Sequence, residues 1–307
     1  MESGIAFTLA ARAAAMTPSA QAPATPFDAT LRQMRRDRAC RSGLAGDNPV
    51  LRRIADDLLD RLSLVSRPFG RALDLGCGPG LLTHALRSQG IEVTPCDAGA
   101  GFARALHGSR HDEDALPFLP GSFDLIVSAG VLDSVNDLPG ALVQARRLLR
   151  PDGLFLAAFA GAGSLPRLKR AMQMADEAEA RPASAHVHPQ IDVRAAGDLL
   201  SRAGFALPVA DVETINVRYT GLPQLVGDLR ELGWTNVLVS RSRQGFGRMG
   251  YAAAQAAFAA GADPDGRVTE RFEIVHLSGW APSPDQPKPA RRGSATASLS
   301  EALKRRD

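Results

Sequence analysis

Four apolar runs punctuate the first half of the chain. "RALDLG", "IEVTPCD", "FDLIVSAGV" and "GLFLAAFAG" show little polar alternation, as strands do when both faces of a sheet are covered. Between them, apolar residues fall at helical spacing. Leu81 to Gln89 reads as a helix closed by Gly90, and Leu138 to Leu149 as a helix stopped by the "PDG" turn at 151–153. Upstream, Leu51, Ile54, Leu58, Leu62 and Val65 predict a further helix, with Asn48 as its N-cap and Pro49 in its first turn. Strand and helix alternate, so the expected fold is α/β, a doubly wound and mostly parallel sheet.

Past Gly163 the rhythm changes. Ser164–Glu179, Val193–Ala203 and Leu222–Leu232 read as helices, and "FALPVADVETINVRY" and "ERFEIVHLSGWAP" as β-structure. Residues 234–268, rich in Ala, Gly and Arg, read as an inserted helical lobe. Near the start, "FDATLRQMRRDRACRS" (27–42) is basic with helical character. It is either a solvated face or a docking strip for an acidic partner. Residues 1–26 and the Pro- and Lys/Arg-rich 282–307 are expected to be disordered.

Composition narrows the function. At 45% hydrophobic and 22% charged, 307 residues can bury a substantial core. The net charge of +3 resides in 282–307, with six Lys/Arg and three Asp/Glu; the other 30 basic and 30 acidic residues cancel. That balance argues against a nucleic-acid surface. The 33 Arg against 3 Lys read as the coding bias of a GC-rich bacterial genome. Cys40, Cys77 and Cys96 are too few for a disulfide framework or a four-Cys zinc site, which suits a reducing compartment. No apolar run reaches the roughly 18–20 residues of a membrane span. The Ala-rich start is a plain extension or a targeting segment. The expected location is the cytoplasm, or the mitochondrial matrix in a eukaryote.

The candidate chemistry centres on "RALDLGCGPGLLTHAL". A strand, a glycine turn and a helix aim backbone N–H groups at a ligand. The spacing Gly76-x-Gly78-x-Gly80 is one residue shorter than the dinucleotide pattern, and no Lys-Ser/Thr follows, which excludes a phosphate-binding P-loop. Asp97, at the end of the next strand, can accept from ribose hydroxyls. In "HDEDALPF", Asp112 and Glu113 fall on a loop after a third strand, where a carboxylate can accept from an adenine amino group. Asp74 either stabilises the turn or meets the ligand. Cys77 and Cys96 suit small buried spacers.

Taken together, "LDLGCGPG", "CD" at 96–97, "HDEDALPF", "GSFDLIVS" and "ARRLLRPDGLF" resemble the class I S-adenosylmethionine-dependent methyltransferases. The resemblance implies a seven-stranded sheet, S-adenosylmethionine as cofactor, and a binding set of Asp74, Gly76, Cys77, Gly78, Gly80, Asp97, Asp112, Glu113 and Ser128. It also implies a methyltransferase-like body over 27–281, with a cofactor half (48–163) and a substrate half (164–281). The later segments "LVGDLRELGWTN" and "FEIVHLSGWAP" are similar to the complex I assembly factor 5 branch, and to malonyl-acyl-carrier-protein O-methyltransferases. That branch offers two chemistries, methyl transfer and arginine hydroxylation, besides a non-enzymatic assembly role. The acceptor is accordingly a small acid, an acyl carrier protein or a complex I subunit. Where the branch has His-Trp, this chain has Asp133 and Ser134, which makes Asp133 the candidate catalytic carboxylate or a mere solvent-facing one. No metal-ligand set is expected; "HVH" at 186–188 is the nearest signal.

Overall fold

A computed structural model of the chain describes residues 25–286. The segments expected to be disordered therefore fall, apart from 25–26 and 282–286, outside the described residues. Seven strands form one sheet: β1 (Arg71–Leu75), β2 (Glu92–Asp97), β3 (Ser109–Arg110), β4 (Phe123–Ala129), β5 (Leu149–Ala160), β6 (Ala206–Tyr219) and β7 (Val268–Trp280). Their order is β3-β2-β1-β4-β5-β7-β6. The first five pair in parallel, and β7 runs antiparallel to both β5 and β6. The strand order turns back at β1, which lies between β2 and β4; open α/β sheets take their ligands at such a point.

Nine α-helices surround the sheet: α1 (Ala29–Ser42), α2 (Pro49–Ser63), α3 (Leu81–Ser88), α4 (Ala100–Ala105), α5 (Leu138–Leu148), α6 (Pro166–Ala178), α7 (Val193–Arg202), α8 (Leu222–Glu231) and α9 (Arg248–Ala259), counted among the described residues. Side chains of a strand alternate between faces. Leu125, Val127, Leu154 and Leu156 pack with Ile54 and Leu58 of α2 and Leu86 of α3. Their neighbours Ile126, Phe155 and Ala157 pack on the other face with Leu142 of α5 and Leu200 of α7. Both faces are dry, which is why the strands read as unbroken apolar runs.

Two local readings change. The helix before the "PDG" turn ends at Leu148, and β5 begins at once with Leu149 opposite Phe123. The turn residues lie inside the strand, where Asp152 takes a φ of 63° and the register with β4 shifts. Within 234–268 one helix forms, α9, which packs against α6. Val237 accepts from the backbone of Asp28, and Val239 donates to Pro26, so this stretch is stitched to the start of the described chain.

Asn48 caps α2 as expected: its Oδ1 accepts from the backbone of Val50 and Leu51. The cap is buried, so Asn48→Ala should lower stability by about 1 kcal/mol, measured as a shifted urea midpoint with an unchanged slope.

Candidate active site

The glycine turn leaves β1 at the switch point. Gly76, Gly78 and Gly80 have φ of +78°, +51° and +87°, the left-handed region that other residues enter at a cost. At Gly76 a β-carbon would also lie 2.3 Å from Val131. The backbone of Gly76 and Cys77 donates to Cys96 of β2, which fixes the turn against the neighbouring strand tip. Asp97 closes that tip. It has no exposure, and accepts from the backbone of Gly78 at 3.0 Å and Gly99 at 2.7 Å.

The remaining partners of Asp97 come from α1. Arg36 donates through Nε to Oδ1 at 2.7 Å and through Nη2 to Oδ2. One helical turn earlier, Arg32 forks onto Glu113 at 2.6 and 2.9 Å, and both of these side chains are buried. Asp112 lies beside them, 3.7 Å from Arg32 and hydrogen-bonded by Gln33. Burial alone would raise the Asp97 pKa; the charge and hydrogen bonds of Arg36, with the two backbone donors, outweigh it and hold the carboxyl below its ordinary range. The basic helix thus finds its acidic partners inside its own chain, on the carboxylates expected to meet ribose and adenine. Arg38 and Arg41 stay on its exposed side, so only the face that carries Arg32 and Arg36 departs from a solvated helix.

The void left at the glycine turn is about 20 Å³, lined by Arg36, Asp74, Cys77, Phe102 and Trp234 among others. That is room for little more than one water. The donor set of two strand-end carboxylates and a left-handed glycine turn suits an adenosyl group. The guanidinium of Arg36 occupies the Asp97 carboxylate on the wall of this void.

A second cavity of about 250 Å³ lies beyond Trp234, which borders both. Its walls are largely apolar, with Leu165, Leu168, Met172, Val226, Leu229 and Phe272. Two cations reach it, Arg35 and Arg241. Arg241 is held by Asp28 and the Leu238 carbonyl. The Nη1 of Arg35 is buried without a partner. Burial, reinforced by Arg38 and Arg241, brings its pKa down to about 10, which leaves it charged at neutral pH. Asp133 faces this second cavity. Its Oδ2 is 3.5 Å from His188 Nδ1, while His188 Nε2 accepts from the Val237 backbone at 3.1 Å. That pattern makes Nε2 an acceptor and directs Nδ1 at Asp133. His186 turns elsewhere, to Asp176 at 2.9 Å, so "HVH" does not form a two-histidine ligand pair.

Of the expected binding set, the structure gathers Asp74, Gly76, Cys77 and Gly78 around the small void, with Asp97 behind the Arg36 that lines it, while Glu113 and Asp112 lie outside it beside Arg32. Gly80 forms the N-cap of α3 against Leu106. Ser128 faces neither cavity; its hydroxyl donates to the Leu75 carbonyl and ties β4 to β1. Periodicity does not identify Arg32, Arg35, Arg36, Trp234, His188 or Arg241. One signal was available: a helix with Arg at 32 and 36 and no apolar stripe needs some other reason to dock.

Asp74 is fully buried and accepts from Thr83 Oγ1 at 2.6 Å. Burial, with a smaller push from Asp97, raises its pKa from 3.8 to about 6 against the lowering effect of Thr83. The folded state therefore keeps this proton longer than the unfolded one. Its stabilising contribution is complete below about pH 4 and is lost as the pH rises through 6. Denaturant titrations should show Asp74→Asn gaining about 3 kcal/mol on the wild type between pH 4 and pH 7.

A family model described as a methyltransferase domain matches residues 49–208. The mitochondrial arginine-hydroxylase NDUFAF5 of Danio rerio is 31% identical over 287 residues, covering 91% of this chain and 89% of that protein. The malonyl-[acyl-carrier protein] O-methyltransferase of Laribacter hongkongensis is 31% identical over 252 residues, covering 76% of this chain and 82% of that one. Among solved structures, the YcgJ protein of Bacillus subtilis covers 74% of this chain and 99% of its own at a TM-score of 0.51; at 16% identity the likeness concerns the fold. The switch-point glycine turn, the two strand-end carboxylates and these relatives place the chain in the class I S-adenosylmethionine-dependent methyltransferase family, in the branch of the complex I assembly factor 5-like proteins.

Proposed function

We propose that the chain moves a methyl group from S-adenosylmethionine to an acceptor bearing an anionic group, seated in the larger cavity. The observation that supports this is Arg35: a charged Nη1 buried without a partner on a largely apolar wall, in a cavity that shares Trp234 with the glycine turn. Arg35 is half-buried, but an N–H of its guanidinium closed off from water without a partner is costly unless a ligand accepts from it.

When bound, the cofactor supplies a methyl on a sulfonium and leaves as a neutral thioether. In this reading Asp97 and Glu113, released by Arg36 and Arg32, hold the ribose and adenine, with Asp112 beside them. Asp74, Gly76, Cys77, Gly78 and Gly80 form the floor, and Ser128 braces it from β4. Arg35 and Arg241 orient the acceptor's anion. Alignment of nucleophile and methyl in a dry site supplies roughly 7–11 kcal/mol of the barrier. An ionised carboxylate needs no proton removed. A hydroxyl or amine would need a base, and Asp133, directed by His188, is the carboxylate at hand. Residues 164–281 then act as the substrate half.

The relatives' names point two ways. Malonyl-[acyl-carrier protein] O-methyltransferases accord with a free or carrier-bound acid. The name arginine-hydroxylase points instead to an arginyl side chain, which a complex I subunit would present. A guanidinium in this cavity would meet Arg35 and Arg241, with Asp133 the one carboxylate on its wall and Asp28 already paired to Arg241 behind it. Like charges in a partly dry pocket repel, so the acid is favoured here.

Protein incubated with methyl-labelled cofactor and a panel of free and carrier-bound acids should form a base-labile labelled ester. Label in none of them, together with a mass gain of one oxygen on an arginine peptide, would refute the methyl-transfer reading. Arg35→Gln should raise KM for the acid about 10- to 100-fold, as loss of a charged hydrogen bond implies, with the dissociation constant of S-adenosylhomocysteine unchanged. Arg36→Gln should bind S-adenosylhomocysteine more tightly by calorimetry, while the unliganded fold loses about 3–5 kcal/mol from an uncompensated Asp97.

A further inference from the structure

Outside both cavities, a buried histidine faces two carboxylates without a hydrogen bond to either. His276, in the middle of β7, is 1% exposed, and neither ring nitrogen has a hydrogen-bond partner. Its Nε2 lies 3.3 Å from Oδ2 of Asp57 and 3.7 Å from Oε2 of Glu213. Asp57 comes from α2 and Glu213 from β6, so three elements converge on one point. The ligand atoms all lie within 4.8 Å of one another.

The surrounding contacts leave Oε2 of Glu213 and both ring nitrogens of His276 without a partner, while Oδ2 of Asp57 takes one donor, Arg61 Nε at 3.0 Å, and keeps a lone pair free. Arg53 takes Oε1 of Glu213 through both Nε and Nη2, and Oε2 stays buried without a partner. Arg61 forks onto Asp211 and touches Asp57 through Nε. Where the bare ring nitrogen is the one that faces these oxygens, only a cation between them satisfies all three atoms. The spacings of 3.3 and 3.7 Å are close to the edge of a tetrahedron with bonds of roughly 2.0–2.2 Å. One imidazole and two carboxylates form a mixed nitrogen–oxygen set, which suits zinc better than the all-oxygen cations. The carboxylates are partly exposed, at 19% and 27%, which leaves a path from solvent and a fourth position for water.

We propose that Asp57, Glu213 and His276 bind one zinc ion that clips α2 to the β6–β7 hairpin. The site lines neither cavity. Its effect on the other side of α2 is indirect, because Leu51 and Ala55 of that helix form part of the wall beside the glycine turn. The role is structural, and it does not depend on which acceptor is methylated.

The test is the metal content of the full chain, purified without chelators or a histidine tag, dialysed against zinc and assayed by plasma emission. One zinc per chain is expected, with cobalt substitution giving the visible bands of a tetrahedral centre and added zinc raising the melting temperature. His276→Gln and Glu213→Gln should each lose the ion and the thermal shift. The double variant His186→Gln/His188→Gln should keep both, which separates this site from the histidines at the larger cavity. Glu213→Gln keeps the test decisive if His276→Gln fails to fold, since its side chain is partly exposed. No retained zinc in the wild type, or equal zinc in Glu213→Gln, would overturn the proposal. So would a His276 resonance that titrates as an ordinary imidazolium and does not respond to zinc.

Discussion

A carboxylate with no exposure to water sits at the tip of the second strand, and its charge has to be met. Asp97 receives two backbone donors from the loops beside it and two more from the guanidinium of Arg36. Desolvating such a group costs several kcal/mol, and only a full set of donors offsets that. The consequence spreads outward. The Gly78 and Gly99 amides fix the two loops at the switch point. The fork from Arg36 fixes α1 across them, and α1 brings Arg32 to Glu113 and Arg35 to the larger cavity. The end of the sheet at the switch point is organised around neutralising one charge.

How much of this the sequence discloses depends on the physics that carries each part. The strands β1, β2, β4 and β5 are legible because parallel strands buried on both faces leave unbroken apolar runs. The glycine turn, Asp97 and Glu113 are legible because left-handed backbone and strand-end acids have few other uses together. Ser128 was placed with the ligand set by family position, yet its hydroxyl serves a strand-to-strand link that no pattern announces. Arg32 and Arg36 read as surface charge, since periodicity scores apolar residues and this helix docks through ion pairs. The zinc ligands are separated by 156 and 63 residues along the chain, so no local spacing joins Asp57, Glu213 and His276. Only the crossing of α2 over β6 and β7 brings them together.

Departures from the family pattern carry chemical information of their own. Asp133 stands where relatives are expected to carry a histidine, and the histidine found beside it is His188, from a loop far along the chain. Its ring is spoken for at both nitrogens, one by Asp133 and one by the Val237 amide. It links Asp133 to the Val237 backbone. The wall of the larger cavity carries two arginines and one acid, with apolar side chains between them.

Arg35 and Arg36 are consecutive residues of one helix, yet they open onto different chambers. Each guanidinium swings on its own flexible stem, so a ligand that lifted Arg36 from Asp97 would leave Arg35 where it stands, and the two chambers could fill in either sequence.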